Sequence, residues 1–136
     1  MKWLIPVVVA MALISVACNN GSSTPVTTPT PTTTTDILTN TVGVLQSASN
    51  NFIVGQGGGT VTVTLTSAVQ TLPGGTVVTN VNVQVALGTV SGSTCSPIAN
   101  GSAIAQASST PVLQGPVSAG TFCVQVTEVT GAGPVA

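Results

Sequence analysis

Few side chains in this sequence can do chemistry. The 136 residues contain one cation, Lys2, two carboxylates, Asp36 and Glu128, three cysteines, Cys18, Cys95 and Cys123, and no histidine. Serine and threonine are plentiful, but a hydroxyl nucleophile needs a base, and the usual bases, His and Lys, are missing beyond residue 2. Glycoside hydrolysis needs a pair of carboxylates flanking one bond, and Asp36 and Glu128 stand far apart in the chain. A calcium site draws on several acidic ligands and a zinc site on Cys and His, and neither set is present. The expectation is a protein that is not an enzyme and has no cofactor and no metal. Without Lys or Arg past residue 2 there is no means of neutralising phosphates, so nucleic acid is excluded as a partner.

The chemistry that remains belongs to the cysteines. Cys18 follows "MKWLIPVVVAMALISVA", which has a positive charge at Lys2 and then an apolar run of about 14 residues, broken by Pro6. A transmembrane helix needs about 20 apolar residues, so residues 1–17 read as a cleaved export signal with a helical apolar segment. "SVAC" resembles a bacterial lipobox, although Ser15 stands where Leu is usual. The resemblance implies that Cys18 is lipidated and becomes the first residue of the mature chain. The alternative is an ordinary secretory signal cut near Ala17 that leaves Cys18 as a spare thiol. Asn19 is not the Asp that commonly retains lipoproteins in an inner membrane, which tilts the expected location towards an outer membrane.

An exported chain matures where disulfides persist, so pairing Cys95 with Cys123 leaves Cys18 free for lipid. Closing a loop of that length stabilises a fold by about 3–4 kcal/mol in the chain-entropy model. Two buried free thiols are the alternative; a redox pair is disfavoured, because there is neither CxxC spacing nor a cation to depress a thiol pKa.

Between Cys18 and the domain, residues 18–35 carry Pro25, Pro29 and Pro31 among Thr and Ser, with no apolar period. Such a tract is expected to be a disordered, largely extended linker, reaching roughly 50 Å at about 3.1 Å per residue. It is read as an unmodified spacer, with an O-glycosylated stalk as the alternative.

From residue 36 to 136 the pattern turns to period two. "GTVTVTLTS" puts Val61, Val63 and Leu65 on one face and threonines on the other. "TNVNVQVALG" points Val81, Val83, Val85 and Leu87 inward, and "TFCVQVTEV" does the same with Phe122, Val124 and Val126. Parity then turns Cys123 away from that core face, so the bond to Cys95 is expected to pin a loop across the outside of the strand or at its edge. Weaker strands are expected near residues 39–45, 51–54, 103–107 and 112–117. "GQGGG" precedes a strand rather than a helix, so it reads as a hairpin turn and not a phosphate loop. Together with "LPGG", "SGS" and "SAG", it punctuates an all-β chain, expected to be an antiparallel β-sandwich of Ig-like or jelly-roll-like type.

The succession "GTVTVTLTS", "VALGT", "GSTCSPI" and "GPVSAGTFCVQV" resembles small bacterial β-sandwich modules related to the pre-peptidase C-terminal domains, over approximately residues 38–136. The resemblance implies an accessory, non-catalytic module of secreted or surface proteins. Phe122 replaces the Tyr more usual in that family. The family also continues into one more strand where this sequence stops, so either an edge strand is lacking, the sequence is cut short, or a partner supplies the strand.

Three function classes follow. The first is a lipid-anchored structural or interaction module of the cell envelope, tied to the membrane through its N-terminal lipid. In this class the uncharged edges take a protein partner or a second copy by strand addition. The second is a binding module for a small neutral solute or glycan, held by loops 71–80 and 91–102. Stacking on a sugar is disfavoured, because Phe52 and Phe122 are expected in the core. The third is an accessory domain acting beside a secreted enzyme.

Overall fold

The computed structural model describes residues 33–136. They are all-β, with antiparallel pairing throughout and no helix. Among the described residues no helix is long and apolar enough to cross a membrane.

Eight strands follow in order: β1 (Ser47–Val54), β2 (Gly59–Val63), β3 (Val69–Thr71), β4 (Val77–Thr79), β5 (Val83–Ser91), β6 (Thr94–Ala105), β7 (Leu113–Val117) and β8 (Gly120–Glu128). The main sheet has the order β1-β8-β5-β6, while β2 pairs with β7 and β3 with β4. The alternation of β-branched and small polar residues sets these registers. On the inward face of the main sheet Val83 and Val85 pack with Ala68, Val81 and Val135, and Val63, Leu65, Val112, Leu113, Val124 and Val126 close around them. Phe122 stands directly opposite Phe52 across β1 and β8, their ring centroids 6.0 Å apart and the rings stacked. The inward assignments for Val81, Val83, Val85, Leu87 and Phe122 agree with their burial.

The local differences have physical reasons. The segment 39–45 is not a strand but a single bridge, Val42 to Val135. The chain turns at once afterwards, with Gln46 N–H donating to the Gly43 carbonyl and Leu45 in the left-handed region at φ 53°. The stretch 91–102, expected as a loop, lies largely in β6. A tight turn at Gly92 joins β5 to β6, and the register slips between Ala86 and Gly88 to accommodate residues 98–101. The stretch 71–80 likewise contains β4 beyond a glycine turn at Gly74 and Gly75.

Residues 134–136 pair with two other segments. Val135 bridges both Val42 and Gln70, and Val69 and Ala136 exchange two backbone hydrogen bonds of 2.8 Å. β1 and β6 are the outer strands of the main sheet.

Candidate functional site

The last inward position of β8 is Glu128. Its parity is that of Phe122, Val124 and Val126, so the alternation that builds the core drives a carboxylate into it. It is 1 % exposed and has no cation beside it among the described residues. What satisfies it is a set of donors delivered by three parts of the chain. Its Oε2 accepts the Leu45 N–H at 2.9 Å, and Oε1 accepts the Thr130 N–H at 2.7 Å. The Gly131 N–H reaches both oxygens, at 3.0 and 2.9 Å. The Gln70 Nε2 donates to Oε1 from β3 at 3.2 Å, and the Thr130 hydroxyl donates to the same oxygen.

Gln70 itself is buried, and its Nε2 also donates to Thr130 Oγ1 and to the Gly133 carbonyl, both at 2.8 Å. Thr130 Oγ1 accepts a further hydrogen bond from the Ala132 N–H at 3.2 Å. Gly133 has to be glycine, since a Cβ would lie 2.1 Å from the Thr71 carbonyl oxygen.

Burial alone pushes the Glu128 carboxyl up. The Thr130 hydroxyl, followed by the backbone N–H groups of Leu45, Gly131 and Thr130, outweighs this and holds it down at about 2. With its oxygens engaged by donors, the carboxylate has no free lone pair aimed at a cation. Asp36 is exposed in the leading segment and does not join it. No group of three or more metal-ligating side chains occurs among the described residues.

Cys95 and Cys123 are bonded, with Sγ atoms 2.08 Å apart. Cys123 points away from the Val124 and Val126 face, as parity requires, but it is fully buried rather than at an edge. The bond runs from β6 to β8 across the intervening β5, not from a loop. Gly88 of β5 pairs with Cys123, and a Cβ on Gly88 would lie 3.0 Å from Cys95 Sγ and 2.5 Å from the Ser96 carbonyl oxygen. The tip of the β5–β6 hairpin is thus folded onto the outer face of β8. Cys18 lies outside the described residues, as do the segment expected to be an export signal and most of the expected linker.

Two small cavities flank this framework. One, of about 190 Å³, lies between residues 37–42 and 64–68, with Val83, Val126 and Val135 also in its wall. The other, of about 220 Å³, lies between the β6 bulge and β7 and is lined by Leu87, Ile98, Asn100, Leu113 and Gln114. The second includes part of the stretch 91–102 expected to hold a ligand; the stretch 71–80 lines neither.

The sequence treated Glu128 as an isolated carboxylate and passed over Gln70 and Thr130. Extending the inward parity of β8 by one step from Val126 was the available signal for Glu128. Gln70 and Thr130 gave none, because their meeting depends on the C-terminal segment pairing with β3. In comparisons with known proteins, the chain matches no family model, no curated protein and no solved structure.

Proposed function

We propose that the chain is a lipid-anchored protein of a bacterial cell envelope, held by Cys18 and spaced from the membrane by the Thr/Pro linker. It presents a non-catalytic β-sandwich, of the kind resembling pre-peptidase C-terminal modules, for structural or interaction roles. The observation that carries this reading is the state of Glu128: the only carboxylate in the packed strands is spent on holding three chain segments together. A disulfide between Cys95 and Cys123 is compatible with an extracytoplasmic location. Contacts with partners then fall to exposed strands, backbone edges and apolar side chains such as Ile53 and Ile104.

A second reading, binding of a small neutral solute or glycan, is favoured by one feature. Asn100 and Gln114 line the cavity beside the β6 bulge together with apolar Leu87 and Ile98.

Fractionation of cells producing the full chain tests the first reading. The native protein is expected in the detergent-extracted membrane fraction, and Cys18→Ser in the soluble exported fraction. Equal distribution of the two would exclude the lipid anchor.

A further inference from the structure

The two outer strands of the main sheet, β1 and β6, end it in different ways. β6 is guarded: Pro97 has no N–H to offer, and the register slip opposite Ala86 and Gly88, with Asn100 at φ 59°, interrupts the ladder. β1 has none of these devices. It runs for 8 residues, "SASNNFIV", in unbroken register with β8, without proline, charge or positive φ. Its bonding directions follow from one contact. The Glu128 N–H donates to the Gln46 carbonyl at 3.0 Å, and these residues continue the register of Ser47 with Thr127, so Gln46 and Glu128 form a hydrogen-bonded pair. Alternation then commits the backbone of Ala48, Asn50, Phe52 and Val54 to β8 and turns the N–H and C=O groups of Ser47, Ser49, Asn51 and Ile53 outward. Among the described residues no strand takes them. All four residues are exposed, Ile53 to 80 %.

We propose that β1 is the contact edge for a second copy of this chain, the two β1 strands pairing antiparallel about a two-fold axis at Asn50. In this register Ser47 of one copy stands opposite Ile53 of the other, and Ser49 opposite Asn51. Every outward N–H and C=O of both strands is then paired. Centring the axis on Ser49 or Asn51 leaves Ile53 or Ser47 without a partner inside the strand. The two main sheets become one, with the order β6-β5-β8-β1-β1-β8-β5-β6.

Charge and side-chain chemistry select a second copy over a different partner. Among the described residues only Asp36 and Glu128 have charged side chains, and Glu128 is buried, so the edge offers nothing to a charged peptide and two copies bring no like charges together. Asn50 has the half-buried, inward parity of Ala48, Phe52 and Val54, a place where an apolar side chain would serve the core. A carboxamide is both donor and acceptor, so across a two-fold axis it complements itself. The contact also closes, because it uses β1 of both copies and leaves only the guarded β6 edges outermost. An edge of this length, about 27 Å, falls below the roughly 1,200 Å² at which stable interfaces begin. The dimer is therefore weak, and its population rises with concentration. The inference rests on the interaction role proposed above and not on the lipid anchor.

The test is sedimentation equilibrium of the full exported chain carrying Cys18→Ser, which removes any lipid and any stray thiol, from about 1 μM to 1 mM. A mass rising from one chain to two is expected. Ser49→Pro removes one outward N–H and no bond to β8, so it should stay folded by circular dichroism and monomeric throughout. Asn51→Lys keeps the backbone intact and serves if the proline variant does not fold; it should weaken dimerisation about tenfold at low salt and less at high salt. Val77→Lys, exposed on β4, should dimerise as the parent does. On mild oxidation Asn50→Cys should form a disulfide between copies and Ser49→Cys should not. A parent that is monomeric at every concentration, assembly beyond two chains, undiminished dimerisation of folded Ser49→Pro or Asn51→Lys, or cross-linking at Ser49 in preference to Asn50 would each overturn the proposal. A monomer whose native form still fractionates with membranes through Cys18 would overturn the dimer and leave the anchor standing.

Discussion

Gly88 lies directly beneath Cys95, so close that the disulfide to Cys123 depends on Gly88 having no side chain. In the main sheet β5 separates the two cysteine-bearing strands. The bond can cross it because the hairpin tip settles against bare backbone at Gly88, with the Ser96 carbonyl oxygen 2.5 Å from where a Cβ would stand.

Gly88→Ala is therefore expected to destabilise the domain by about 3 kcal/mol, the upper part of the usual range for overpacking, because the clash is with backbone that no rotamer change relieves. Gly59→Ala, where an added Cβ meets nothing within 4 Å, is the comparison and should shift the urea midpoint little. Equal shifts for the two would show that the hairpin tip does not rest on Gly88.

Reduction, or Cys95→Ser with Cys123→Ser, should lower the unfolding free energy by about 3–4 kcal/mol, the amount expected for a cross-link over 28 residues. The double variant isolates the cross-link from thiol chemistry. Denaturant titration of native and double-variant protein reads the difference directly.

Glu128 should govern the acid limb of stability. Its folded pKa is held down at about 2 from an ordinary 4.5, so below that ordinary value the unfolded chain binds more protons than the native one. The Glu128 contribution is present in full above about pH 4.5 and is lost as the pH falls towards 2. Glu128→Gln should flatten the thermal midpoint across that window. It should also lower stability at neutral pH by about 2–3 kcal/mol, since an amide turns an N–H towards donors that a carboxylate accepts. A variant with the wild-type acid profile would assign the acid limb to another group.

The same residue separates what could be read from the chain and what could not. Strand alternation around Val83, Val85, Val124 and Val126 was readable because period two on a half-buried sheet is a local property. It placed Cys123 on the opposite face correctly. It misassigned residues 91–102, because pairing with β5 overrides the turn-like composition of "GSTCSPIANGS", and it extended 39–45 into a strand that Leu45 breaks by adopting positive φ. That conformation costs a Leu about 1–2 kcal/mol in isolation and is supported here by its N–H bond to Glu128.

Residue type and nearest-neighbour periodicity suffice for the all-β class, the inward faces of the principal strands and the near absence of ionisable chemistry. Long-range strand pairing makes Gly88 a platform for the disulfide, sets residues 134–136 between Val42 and β3, and brings Gln70, Glu128 and Thr130 together. Those contacts join residues dozens of positions apart. No local pattern encodes them, because they depend on which strands become neighbours once the valine faces are buried.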